Sequence, residues 1–400
     1  MKTSFFNNMP MVAFLWIILT NVACAKPNVL LIAVDDLNAD LGCYGHPLVH
    51  SPNVDRLAKR GVRFEKAYCQ YPVCNPSRSS FMTGLYPEQT GVLSNAGNFR
   101  EKHPKLTTLS QHFMKHGYFA ARVGKIYHYG VPLQIGTDGE DDKASWNEVV
   151  NPIGVDRTEL DEVVTIRKGA YGGTLSWRIL DSKDEDHTDG KGALAAINLM
   201  EDNHPDKTGK PFFLAVGFFL PHVPCYTTQK WYDLFPDDDS VLPKVIADDR
   251  DDTPRFSWYL HWKLPECRLK FLQEENQWHN LARSYLACTA FIDSQVGRVI
   301  EQLENSGYRK NTIIVLWSDH GWHIGEKAIT GKNTLWADGT RVPLIFAGPG
   351  ITPGQVSAQP AELLDIYPTL AELISTKVAS RLEGHSLLPQ LKDVTAKREH

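Results

Sequence analysis

The chain has 400 residues, 42% of them hydrophobic and 22% charged, an ordinary globular composition long enough to bury a large core. Its formal net charge of −5 excludes a general nucleic-acid binder, which needs a basic surface. It leaves room for a local Lys/Arg pocket that takes an anionic ligand.

The N-terminus reads as an export signal over residues 1–25. Lys2 supplies a positive start, residues 11–19 form an uninterrupted apolar core, and Ala23-Cys24-Ala25 fits a small-residue cleavage site. The apolar run is too short for a comfortable membrane span, and polar Asn21 argues against a lipid anchor at Cys24. The product is expected to be exported, periplasmic or secreted. Removing Cys24 leaves Cys43, Cys69, Cys74, Cys225, Cys267 and Cys288 at irregular spacing without alternating histidines. A zinc module is therefore not indicated, and disulfide pairing stays open.

Residues 27–34 are short and continuously apolar, as a parallel strand covered on both faces should be, and they end in Asp35-Asp36. Residues 53–60 predict a helix stopped by Gly61. Residues 107–115 predict another, stopped at Gly117, with a strand over 118–123. A helix over 191–201 and a central strand over 211–220 follow, the strand running into Pro221-His222. The polar stretches 133–189 and 237–252 read as long surface excursions. The clearest helical pattern spans 275–305, where Leu281, Tyr285, Ile292, Val296, Val299 and Leu303 recur at helical spacing before Gly307. Residues 312–317 form another buried strand ending in Ser318-Asp319-His320-Gly321. A strand over 341–347 and a closing helix over 361–374 complete the pattern. Strands alternating with helices predict an α/β fold, a mostly parallel sheet with helices on both faces.

Polar residues recur where the strands end: Asp35-Asp36, His222 and Asp319-His320. Open α/β sheets bind ligands beyond the carboxyl ends of their strands, so these groups are expected to converge. Crowded carboxylates repel unless a cation sits among them, and oxygen-rich, irregular ligation favours Ca²⁺ over Mg²⁺. A second signal is the run Val73-Cys74-Asn75-Pro76-Ser77-Arg78-Ser79. Taken alone, it reads equally well as a structural cysteine opening a helix, with Pro76 in the first turn and Ser77 near the cap.

Taken with the rest of the chain, that run resembles the Cys-x-Pro-Ser-Arg signature of type I sulfatases of the alkaline-phosphatase superfamily. The matching segments are residues 28–36, 74–83, Gly124-Lys125 with His128, Pro221-His222-Val223-Pro224, and Ser318-Asp319-His320-Gly321-Trp322. Gly325-Glu326, Gly331-Lys332 and Arg341-Val342-Pro343-Leu344 extend the likeness over residues 27–390. His320 following Asp319 is a mark of the iduronate 2-sulfatase branch.

The resemblance implies one catalytic domain over residues 26–400, hydrolysing sulfuric esters of a sulfated sugar or polysaccharide. It implies that a formylglycine-generating maturase oxidises Cys74. The hydrated aldehyde then offers one oxygen to attack sulfur and a second to expel sulfate. Calcium would be held by Asp35, Asp36, Asp319, His320 and an oxygen of modified Cys74. Arg78 would hold the hydrate and the charge beside the ion, and Lys125 and Lys332 would grip sulfate oxygens. His128 would deprotonate the remaining hydroxyl on residue 74, and His222 would protonate the departing sugar oxygen. Trp322 is expected to wall the substrate pocket, and the stretch 258–263, with His261 and Trp262, to contact sugar. The family usually continues into a small antiparallel subdomain with an acidic-Leu-Tyr-Asp segment; nothing here corresponds, so the C-terminal subdomain is expected to be missing. Two other readings remain: a phosphonate or phosphate ester hydrolase of the same superfamily, and a truncated glycan-binding protein without turnover.

Overall fold

The first apolar run is a strand, β1 (Asn28–Val34), buried along its whole length. Successive side chains of a strand point to opposite faces. Leu30, Ile32 and Val34 enter one apolar layer, and Val29, Leu31 and Ala33 enter the other. A strand sandwiched in this way reads as continuous rather than alternating hydrophobicity. The computed structural model describes residues 26–160, 164–165, 175–249, 251–256 and 267–398. Residues 1–25, His261 and Trp262 lie outside the described residues.

The following strands are β2 (Gly61–Tyr68), β3 (Phe119–Gly124), β4 (Glu148–Val150), β5 (Val164–Thr165), β6 (Ser176–Leu180) and β7 (Phe212–Phe218). Next come β8 (Cys225–Thr228), β9 (Thr312–Ser318), β10 (His323–Ile324), β11 (Thr330–Gly331), β12 (Leu344–Ala347) and β13 (Gln355–Glu362). An eight-stranded sheet runs in the order β13-β2-β12-β9-β1-β7-β3-β4. Its neighbours pair in parallel except at β12, which is antiparallel to both β9 and β2. Helices Pro52–Ala58, Thr188–Asp202 and Trp278–Asn305 cover one face. Helices Cys74–Thr83, Leu109–Lys115 and Ile366–Leu373 cover the other. The predicted α/β architecture, mostly parallel with helices on both faces, is the one observed.

Several boundaries differ. Gly61 does more than follow a helix: it opens β2, where a Cβ would collide with the Phe346 carbonyl of β12. The predicted closing helix is shorter, because residues 361 and 362 belong to strand β13 and the helix starts only at Ile366. The predicted strand over 341–347 keeps only Leu344–Ala347, with Arg341 making an isolated bridge to Tyr68. The long helix begins at Trp278; Asn276, at φ 53°, separates it from a short helix at Cys267–Glu274. The polar stretch 133–189 is not all surface. It supplies β4 at the edge of the main sheet, and β5 and β6, which join β8 in a second sheet with Trp177 and Leu180 buried. Among the described residues, no helix is long and apolar enough to cross a membrane.

Candidate active site

Four parallel strands deliver the predicted residues to one place. Asp35-Asp36 follow β1, Lys125 follows β3, His222 lies past the end of β7, and Asp319-His320 follow β9. The helix Cys74–Thr83 starts among them, with Cys74 as its first residue and fully buried.

Arg78, one turn along that helix, ties the strand ends together. Its Nε donates to Asp319 Oδ2 at 2.8 Å and its Nη2 to Asp35 Oδ1 at 3.0 Å. Nη1 donates to the carbonyls of Lys125 and Ile126. All three charged side chains are completely buried, where the planar five-donor fork of arginine is the group that can satisfy several acceptors at once. Burial opposes charge on Arg78, yet Asp319 and Asp35 more than offset it. The sequence reading gave Arg78 the hydrate on residue 74 and the charge beside the ion; its observed hydrogen bonds go to the carboxylates Asp35 and Asp319 and to two carbonyls.

Cys74 Sγ stands where the oxygens of an oxidised residue 74 would be. It lies 3.1 Å from Lys332 Nζ, 3.3 Å from His320 Nε2 and 4.0 Å from Lys125 Nζ. Burial alone would raise the thiol, but Lys125, Lys332 and His320 outweigh it and hold it well below the usual thiol range. The site favours negative charge at this position, as a nucleophile requires. Lys125 also pairs with Asp35 Oδ2, and Lys332 Nζ donates to Asp36 Oδ1 at 2.7 Å. Lys332 further sits 5.5 Å above the Trp322 ring, and that ring lies 6.4 Å from His222, so Trp322 belongs to the same wall.

The two proton-transfer candidates differ in their surroundings. His222 places Nδ1 2.6 Å from the Val223 carbonyl, which fixes the proton there and leaves Nε2 facing Asp36 Oδ2 at 3.7 Å. His128 is buried with its Nδ1 unpartnered, and burial, helped by the charge on Lys125, pushes its imidazole below the usual range. That direction favours a neutral, proton-accepting imidazole at His128.

Two overlapping groups could hold a metal ion: Asp35, Asp36, Cys74 and His222, and Asp35, Cys74, Asp319 and His320, with candidate ligand atoms within 4.8 Å of one another. Asp36 Oδ2 is buried without a hydrogen-bond partner, as a ligand atom presented to a cation would be. Burial raises Asp319 to about 7, whereas Lys125 and Arg78 overcome burial at Asp35 and hold it below the carboxylate range. Burial also opposes charge on His320, but Asp319 leads the groups that push it up to about 9, so a metal at its Nε2 must displace a proton. The donor set, carboxylate oxygens with one imidazole, fits a hard divalent cation such as calcium.

Sequence reasoning missed two residues behind these. Asp189, buried, accepts from the backbone N–H of Phe219 and of Leu220, both at 3.0 Å, and so fixes the turn that carries His222. Tyr285 bonds the Asp36 turn from the long helix. Asp189 sat in a predicted surface stretch, and Tyr285 reads as one more apolar position of a helix.

The family model described as Sulfatase matches residues 27–376. A protein of Formosa agariphila described as Sulfatase is 37% identical over 378 residues, spanning 92% of this chain and 73% of that one. Iduronate 2-sulfatase of Homo sapiens is 31% identical over 401 residues, spanning 88% and 70%. The solved structure of BT4656 in complex with its substrate D-glucosamine-2-N,6-O-disulfate has a TM-score of 0.68 at 22% identity, with 94% and 82% covered. The phosphonate monoester hydrolase of Silicibacter pomeroyi has the same TM-score and identity, with 92% and 77% covered. At that identity the two structures bear on the fold alone.

Proposed function

The chain belongs to the sulfatase family, hydrolases of sulfuric esters, and from that premise we propose that it removes sulfate from a sulfated sugar. Residue 74 would act in its formylglycine form, and Asp35, Asp36, Asp319 and His320 would hold calcium. The observation that supports this most is the meeting of Cys74, three buried carboxylates and two lysines at the strand ends. The sugar reading draws on the likeness to iduronate 2-sulfatase. Bound calcium supplies positive charge for sulfate oxygens, and the formylglycine hydrate supplies a second hydroxyl on residue 74.

The chain's own residues do the remainder. Lys125 and Lys332 hold the anionic sulfate against residue 74 as compact point charges. His222, with Nδ1–H committed to the Val223 carbonyl, must first take up a second proton at Nε2 and, as the imidazolium, gives that proton to the departing sugar oxygen and returns to the neutral ring. His128, kept neutral by burial, takes a proton from residue 74. Trp322, buried and 5.5 Å from Lys332 Nζ, walls the pocket on that side.

Mass spectrometry of the Cys74 peptide from protein made with a maturase, beside rates on matched sulfate, phosphate and phosphonate esters, tests the proposal. The expected results are an aldehyde at residue 74 and a preference for the sulfated sugar. An unmodified thiol in active enzyme, or faster phosphonate turnover, would sink it.

A further inference from the structure

We infer that Tyr285 is a positioning residue for the cation site, its hydroxyl holding the backbone turn that presents the Asp36 carboxylate. The inference rests on the reading of Asp36 as a calcium ligand. Tyr285 lies inside the helix Trp278–Asn305 and is 2% exposed. Its hydroxyl donates to the Asp36 carbonyl at 2.8 Å and accepts from the Asn38 N–H at 3.0 Å. A phenol that both gives and takes a hydrogen bond across one turn acts as a staple, and a buried hydroxyl is tolerable only when so bonded.

The turn needs one. Asp36 has φ 59°, the left-handed region that costs a non-glycine residue free energy and persists only where the surroundings over-determine it. Three successive N–H groups share that task. Asp36 donates to Asp319 Oδ1 at 3.2 Å, Leu37 to Ser318 Oγ at 3.0 Å, and Asn38 to Tyr285. The first two partners come from the end of β9, which is itself part of the site. Tyr285 brings the third constraint from the helix layer and also takes up the Asp36 carbonyl. The carboxylate aimed by this turn carries the unpartnered Oδ2.

Tyr285→Phe deletes one oxygen and leaves the packed ring in place. Side chains that orient a metal ligand are commonly worth about 10- to 100-fold in metal affinity, so calcium binding should weaken at least about 10-fold. Tyr232→Phe is the matched control. Its hydroxyl is also buried and donates to Ser284 Oγ of the same helix at 3.1 Å, with the Arg178 and Cys225 carbonyls also in reach, but it bonds none of the proposed calcium ligands.

The experiment measures calcium affinity by equilibrium dialysis on the full chain made with a maturase, for wild type and both variants. Thermal unfolding with and without calcium runs alongside, since the gain on adding ligand reports affinity even in a destabilised protein. Weaker binding and a smaller calcium gain in Tyr285→Phe, with wild-type affinity in Tyr232→Phe, is the expected result. Equal affinity in wild type and Tyr285→Phe overturns the inference alone, as does an equal fall in both variants. A wild type that binds no calcium overturns the cation site and the inference together.

Discussion

Replacing Arg78 with methionine removes the guanidinium while nearly keeping its volume. The side chain now bonds Asp319 and Asp35 at 2.8 and 3.0 Å, all partners fully buried. Breaking a buried ion pair from one side costs about 3–5 kcal/mol, because the abandoned carboxylate keeps its desolvation penalty. Asp35 retains Lys125, so the loss falls chiefly on Asp319 and the two carbonyls. With an unfolding entropy of about 2.1 cal/mol/K per residue, a 400-residue chain changes its Tm by roughly 4–6 °C for that loss. A divalent cation can stand in for part of the missing charge. Saturating calcium should therefore raise the Tm of Arg78→Met more than that of wild type. Near-UV circular dichroism melts in EDTA and in calcium read both quantities, and sulfate release should fall at least about 10²-fold. A variant that melts within about 1 °C of wild type in EDTA, with no larger calcium gain, would refute the reading of Arg78 as the tie between strand ends.

Two further outcomes are expected. His222→Ala should slow a sugar sulfate by about 10²–10⁴-fold yet largely spare an aryl sulfate, whose phenolate leaves without a proton, whereas His128→Ala should slow both alike. Initial rates on the two substrates check this, and equal damage by His222→Ala shows the roles to be misassigned. Asp156, with Oδ2 buried and unpartnered, is raised by burial from 3.8 to about 6. Its contribution to stability is full below pH 3.8 and lost as pH rises through 6, a swing of about 3 kcal/mol. Relative to Asp156→Asn, wild type should thus be more stable at pH 4 than at pH 7; parallel stability curves count against the buried neutral acid.

The strand ends were legible because a strand buried on both faces must be an apolar run, and a polar pair directly after it has few other uses. Asp35-Asp36 after residues 28–34 and Asp319-His320 after Trp317 stood out for that reason. Strand β2 did not, since Arg63, Glu65 and Lys66 interrupt it; Arg63 lies over the Tyr44 ring at 4.5 Å, a contact no local pattern announces. Strand β13 was hidden for the opposite reason. It is a polar edge strand with Pro360 at an irregular pairing, and its last residues resemble the start of the helix that follows. The side chains that touch the reacting position carry their own sequence signal. Those that brace it, Asp189 and Tyr285, act through backbone groups far away in the chain, and spacing says nothing about where a carboxylate or a phenol will find an N–H.

The main sheet also gives the protein a front and a back. Strand β1 begins at Asn28 and delivers Asp35 to the site only at its far end, about 23 Å away at 3.3 Å per residue. Lys26 is held at the rear, its carbonyl accepting from Asn311 and its ammonium donating to the His116 carbonyl. A tether grafted onto the Lys26 side chain would therefore join the protein at the end of the sheet opposite the candidate site.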